Sequence, residues 1–160
     1  MQRRKFIKNT ILVSSSLLIA NSLISCSNNN TILLEEIIGK PEKILDTFKK
    51  EGNEYFAYYV LSKFKHSKLT GEQVYIYCQK GIIVGYTIKI KGTDKIQEYT
   101  HTFSQQFGDK KIVFENDFGK EYEWRTNNKK ITLCYSKDYK GLSQNTYFSE
   151  STINNELIVF

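Results

Sequence analysis

The clearest hydrophobic pattern in the chain runs from Val84 to Lys91. Val84, Tyr86, Ile88 and Ile90 alternate there with Gly85, Thr87, Lys89 and Lys91. A period of two places one set on a buried face and the other toward water, so this run predicts a strand. Val74 to Gln79 alternates in the same way, with Val74, Ile76 and Cys78 opposed to Tyr75, Tyr77 and Gln79, and Lys80-Gly81 supplies the turn between the two runs. Tyr55 to Phe64 is aromatic and β-branched and reads as a strand, with a helix as the alternative. The period then changes. Ile96, Tyr99, Phe103 and Phe107 fall at i, i+3, i+7 and i+11, one face of a helix that Asp94 would cap, with Gln97 at the capping-box position, and that Gly108 would end.

Three further strands are expected at Lys111–Glu115, Lys120–Arg125 and Lys130–Ser136. The loops 116–119 and 126–129 between them are rich in turn-forming residues. Asn145–Ser149 and Asn155–Phe160 read as edge strands, with a helical turn over Ser151–Glu156 as the alternative to part of this tail. Upstream, Pro41 suits a first helical position, Ile44, Leu45 and Phe48 form a narrow apolar stripe, and Gly52 suits the residue after a helix. A short amphipathic helix is therefore expected from Pro41. Thr31–Ile38 is expected to be a short helix or turn docked on the domain. The predicted class is α+β: two short amphipathic helices on antiparallel β-meanders, in an order that suggests an α-β-β-β pseudo-duplication without residue-level repetition.

The first thirty residues follow a different logic. Arg3, Arg4, Lys5 and Lys8 form a cationic leader without acids, and Ile11 to Ile24 is apolar or small with polar interruptions. That stretch is too short and too interrupted to span a bilayer, which takes about 20 consecutive apolar residues, but it suits a cleavable signal. Leu23-Ile24-Ser25-Cys26 resembles the lipobox of bacterial lipoproteins. The resemblance implies cleavage between Ser25 and Cys26, diacylglyceryl attachment to the Cys26 sulfur and usually acylation (palmitate or similar) of the new amine. Each buried CH₂ adds about 0.8 kcal/mol, so two or three chains anchor firmly. Arg3-Arg4-Lys5-Phe6-Ile7-Lys8 also resembles a twin-arginine export motif, and the export route stays open. Ser27 stands where Asp would signal inner-membrane retention, which favours the outer membrane where one exists. The expected organisation is a signal peptide over 1–25, a lipidated cysteine and polar tether over 26–30, and one domain over 31–160.

Removing the leader changes the charge. Of 23 Lys+Arg, four precede Cys26, which leaves 19 against 17 acids, a net charge of +2 instead of +6. The basicity belongs to the leader, so no nucleic-acid footprint is expected. All 11 Tyr, Trp124 and every Phe except Phe6 follow Cys26. Tyr58, Tyr59, Tyr75, Tyr77 and Trp124 are the candidate exposed aromatic patch, for a protein or glycan partner.

Catalytic chemistry is not legible. His66 and His101 stand apart, no zinc-ligand spacing occurs, and Glu115, Asp117, Glu121 and Glu123 lack the spacing of a calcium loop. No catalytic residue, metal site or cofactor is expected. Cys78 shares the phase of Val74 and Ile76, whereas Cys134 lies opposite Ile131, Leu133 and Tyr135, so the two thiols are expected to point to opposite faces and stay unbonded. The order of elements resembles the small helix-on-sheet domains of outer-membrane assembly lipoproteins and β-lactamase inhibitors, a likeness of architecture that transfers no activity. The functional expectation is a membrane-anchored, extracytoplasmic, non-catalytic binding or envelope-assembly module. The alternatives are an immunity or inhibitor protein against an extracytoplasmic toxin or hydrolase, and an enzyme whose site is assembled from scattered residues. Cys26→Ala is expected to release the protein from the membrane fraction without unfolding it, as measured by fractionation and circular dichroism; retention in the membrane would refute the lipid anchor.

Overall fold

A computed structural model describes residues 31–137 and 143–153. The expected leader, Cys26 and tether, residues 138–142, and the expected strand at Asn155–Phe160 lie outside the described residues. Ten strands and one α-helix follow in order: β1 (Ile32–Leu33), β2 (Lys50–Gly52), β3 (Phe56–Leu61), β4 (Phe64–Lys65), β5 (Gln73–Gln79), β6 (Ile82–Lys91), α1 (Ile96–Phe107), β7 (Lys111–Glu115), β8 (Gly119–Arg125), β9 (Lys129–Ser136) and β10 (Asn145–Thr152). Eight strands make one antiparallel sheet in the order β2-β3-β5-β6-β10-β9-β8-β7, and β1 and β4 form a separate parallel pair. The fold is a mostly antiparallel β-sheet with one α-helix, a small α+β arrangement.

The strands with clean alternation form where the pattern predicts. Val74, Ile76 and Cys78 on β5 are buried, as are Tyr86, Ile88 and Ile90 on β6. The hairpin between them turns on Lys80 and Gly81, both at positive φ (50° and 75°). This is the turn geometry whose twist matches that of the paired strands. In α1, Ile96, Tyr99 and Phe103 are buried and Phe107 packs beside them. Gly108 (φ 89°) ends the helix. Its start differs from expectation. Lys95 occupies the cap position with no side-chain cap bond, and the Asp94 carboxylate accepts the Thr93 N–H instead.

The helix expected from Pro41 does not form. Pro41 is extended (ψ 140°), Glu42–Leu45 is a single 3₁₀ turn, and Lys50–Gly52 pairs with Ala57–Tyr59 as the edge strand β2. The segment is drawn to the β5–β6 hairpin: Gly39 N–H donates to Ile83 O (2.8 Å), Ile83 N–H to Lys40 O (2.9 Å) and Glu42 N–H to Gly81 O (2.8 Å). A helix this short is marginal alone, so sheet pairing outcompetes it. Gly52 still uses a positive φ (102°), but for the tight approach to Phe56, whose carbonyl oxygen would lie 2.4 Å from an added Cβ. The Thr31–Ile38 segment is β1 followed by a 3₁₀ turn at Leu34–Glu36, and Tyr55–Phe64 divides into β3 and the start of β4. The first of the two expected α-plus-meander units thus lacks its α-helix.

The largest departure concerns Asn145–Ser149. Expected at an edge, it belongs to β10, which runs on to Thr152 as a strand and lies in the middle of the sheet between β6 and β9. β10 carries Glu150 into the core face at 6% exposure. The Tyr86 hydroxyl donates to one carboxylate oxygen (3.0 Å) and the Lys129 ammonium to the other (2.5 Å). A buried carboxylate is tolerable only when held in this way.

Glu150→Ala strands the fully buried Tyr86 hydroxyl and leaves the Lys129 ammonium without its carboxylate. It is expected to cost about 3 kcal/mol in urea unfolding followed through Trp124 fluorescence. Glu150→Gln keeps an acceptor for Tyr86 and is expected to cost less. Equal losses in both variants would remove the hydrogen bond from this account.

Candidate tyrosine-walled sheet face

The sheet register sorts every side chain onto one of two faces. The core face carries Ala57, Tyr59 and Leu61 from β3, Val74, Ile76 and Cys78 from β5, Tyr86 and Ile88 from β6, Phe148 from β10, Ile131 and Leu133 from β9, and Trp124 from β8. Helix α1 closes one part of it. Phe103 stacks on Phe148 at 4.7 Å and meets Trp124 edge-on at 5.9 Å, and the indole N–H of Trp124 donates to Ser104 Oγ (3.3 Å). Leu34, Ile37, Leu45 and Leu69 join the same buried cluster from the connecting segments.

The other face holds the candidate site. Tyr58 pairs with Tyr77 across β3 and β5, Tyr75 pairs with Thr87, and Tyr77 with Gly85 across β5 and β6. These three tyrosines, with Phe56 stacked on Tyr77 at 6.3 Å and the exposed Val60, form an aromatic wall. Beside it lies a row of small residues: Gly85 and Thr87 on β6, Ser149 and Ser151 on β10, Thr132 and Cys134 on β9. All but Cys134 are buried, so Gly85 and Thr87, in the set of β6 expected to face water, are shielded too, because this strand lies in the middle of the sheet between larger side chains. Hydroxyls link wall to row. Tyr77 donates to Thr87 Oγ1 (3.3 Å), and Thr87 shares a 2.8 Å bond with Ser149. Beyond the row stand Glu121 and Glu123 on β8, across from Cys134 and Thr132. Glu123 is held by Arg125 (2.6 Å) and Lys130 (3.4 Å). Burial raises the carboxyl of Glu121 above its usual range, opposed by Lys130 and reinforced by Glu123. Burial likewise raises Tyr77 and Cys134, so the thiol has no activated-nucleophile character.

The five aromatic residues of the expected patch therefore divide. Tyr58, Tyr75 and Tyr77 share this face, all half-buried. Tyr59 (2% exposed) and Trp124 (1%) point into the core instead. Tyr59 donates to Glu42 (2.7 Å), and burial followed by that bond raises its hydroxyl far above the ordinary range. Alternation explains the split, because adjacent Tyr58 and Tyr59 must face opposite ways and Trp124 has the phase of Ile131. The acid cluster also divides: Glu115 turns to Lys120 (3.0 Å) and Lys137 (3.7 Å), away from Glu121 and Glu123, and Asp117 is exposed in a turn. Cys78 and Cys134 are free thiols on opposite faces with two strands between them, which at about 4.8 Å per step separates them by about 14 Å across the sheet, and the register offsets them further along the strands, from Ile83 to Lys89 on β6. Among the described residues no group of three His, Cys, Asp or Glu side chains could hold a metal, and no helix is long and apolar enough to cross a membrane.

Two residues that no local pattern marks as inward are decisive. Glu150 lies in the all-polar run Ser149–Thr152, where no periodicity marks one position as inward. His66 comes from a lysine-rich turn, yet its side chain is 4% exposed and packs edge-on against Phe148 (5.5 Å) and Tyr86 (6.3 Å). Its Nδ1 accepts the Lys68 N–H (3.1 Å). His101, by contrast, is exposed on α1. Comparison with protein-family models, with curated proteins and with solved structures found no match.

Burial holds the folded His66 below its ordinary value of 6.5, against the pull of Glu35 and Glu150. As pH falls through about 6.5 the unfolded chain takes up a proton that the folded chain refuses, so stability present above that pH is lost below it. The urea midpoint is expected to drop between pH 7 and pH 5, and to drop less in His66→Gln. Parallel profiles for the two proteins would refute this assignment.

Proposed function

We propose that this chain is a lipid-anchored, extracytoplasmic bacterial protein that binds a partner, without catalysis of its own, through the tyrosine-walled sheet face. The anchor half of this reading rests on the ordered leader and on Cys26 in Leu23-Ile24-Ser25-Cys26. The binding half is carried by one observation: Tyr58, Tyr75 and Tyr77 stand together with Phe56 and Val60 beside a row of hydroxyls, on the face opposite α1. Tyrosine suits this role because a rigid ring offers apolar area while its hydroxyl bonds to a polar partner at little entropic cost. The Thr and Ser next to it are buried, with Thr87 and Ser149 bonded to each other, so they back the tyrosines and leave the half-buried rings and the exposed Phe56 and Val60 as the surface a polypeptide or a glycan would meet. The raised thiol of Cys134, the ion-paired Glu123 and the core position of His66 support binding over catalysis. The four residues between Cys26 and Thr31 would keep the domain close to the bilayer, since the five Cα-to-Cα steps span at most about 18 Å.

A photo-reactive amino acid at Val60, which is exposed on this face, is expected to give a discrete heavier adduct in intact cells. The same group at Asp117, in the turn before β8, is expected to give none. Tyr58→Ala combined with Tyr75→Ala is expected to abolish the Val60 adduct while the protein remains folded and membrane-bound. Adducts from both positions, or from neither, would refute the proposed face.

A further inference from the structure

Helix α1 carries a second pattern beside its apolar face. Gln97, Thr100, His101 and Ser104 fall at i, i+3, i+4 and i+7, so they form one polar stripe along the helix. The stripe lines a cleft of about 260 Å³, and Lys110 and Tyr122 form the facing wall. This is a different place from the tyrosine-walled face, because Tyr122 has the core-face phase of Trp124 and Leu133.

Three features give the cleft its chemistry. No acid lines it. Lys110 supplies a cation: its ammonium lies 5.3 Å from the Tyr122 ring centroid and makes no ion pair with a carboxylate among the described residues. Lys120 approaches the same ring at 5.4 Å but is committed to Glu115 at 3.0 Å. Lastly, Thr100 is 7% exposed and its hydroxyl has no hydrogen-bond partner among the described residues. A buried hydroxyl left unpaired is unfavourable, and valine would fill the same space without that cost. A helical threonine has two favoured χ1 positions, so an acceptor in the cleft can select the one that presents the oxygen to it. Ser104 accepts from the Trp124 indole (3.3 Å), which leaves its own O–H to donate.

We propose that the cleft between α1 and the β7–β8 side of the sheet binds a small organic anion, its charge on Lys110 and its oxygens on Thr100, Ser104 and Gln97. The ligand is sugar-sized or smaller, since the cleft lies just below the roughly 300–1,000 Å³ usual for larger ligands. A carboxylate and a phosphate ester share the required chemistry.

Trp124 is the only tryptophan and donates to a residue of the cleft, so its fluorescence reports occupancy directly. Purified full-length protein in detergent is titrated with inorganic phosphate, glucose 6-phosphate and glucuronate, with glucose as the uncharged control. A saturable change is expected with at least one anion and none with glucose. Lys110→Gln is expected to raise Kd about tenfold, the loss of one charge-assisted contact. Thr100→Val is expected to melt at a higher temperature than the parent and yet to bind about tenfold more weakly. That opposition separates a hydroxyl kept for a ligand from one that is merely structural. The proposal is overturned if none of the three anions gives a saturable response, if glucose binds as well as they do, or if Kd is unchanged in Lys110→Gln, an exposed position whose substitution leaves the core intact.

Discussion

The ladder between β6 and β10 is the constraint on which the rest of the structure depends. It joins the meander β2-β3-β5-β6 to the meander β10-β9-β8-β7, and without it the sheet would be two separate four-stranded pieces. Its register puts Phe148 beside Ile88 and Glu150 beside Tyr86 on the core face, and Ser149 beside Thr87 on the other. One pairing thus sets the aromatic core under α1, the buried carboxylate network and the hydroxyl row of the candidate site. A slip of one residue would exchange the two faces of β10, pushing Phe148 out and Ser149 in.

The course of the chain follows from that junction. After β6 the polypeptide crosses the core face as α1, reaches the far edge at β7 and steps back through β8 and β9 to β10 at the centre. The crossing helix covers the part of the sheet that carries Trp124 and Phe148, while Leu34, Leu45 and Leu69 from the connecting segments join the same buried cluster as Tyr59 and Ile76. Both lie on the same side. The opposite face keeps Tyr58, Tyr75 and Tyr77 half-buried and hydroxyl-bearing, which is the composition expected of a surface that exchanges water for a partner.

Polar groups inside this protein are of two kinds. Glu150 is satisfied on both oxygens, and its bonds tie β10 to β6 and β9. The Thr100 hydroxyl is satisfied by nothing among the described residues. A satisfied network fixes structure, whereas an unsatisfied group beside a cleft stores interaction energy for something else. That difference, and not burial alone, separates a structural polar residue from a candidate ligand-binding one.

Local sequence determined the elements whose partners are near in the chain. The period-two runs of β5 and β6, the 3.6-residue stripe of α1 and each strand of the β7–β8–β9 meander are written within runs of 5 to 12 residues. Alternation likewise sends Cys78 and Cys134 to opposite faces, and the leader with its Cys26 is an expectation from sequence alone, drawn without any fold. Tertiary structure alone decided the rest. The Pro41–Gly52 segment has enough apolar stripe for a helix, but distant strands supplied better hydrogen-bond partners. Glu150 and Tyr86 are 64 residues apart, and no local pattern in Asn145–Thr152 announces a central strand. Three of the five candidate aromatics share a face while Tyr59 and Trp124 do not, because which side of a strand becomes the core depends on which side the helix comes to cover. Periodicity marks the two faces of a strand, but only packing decides which of them meets water.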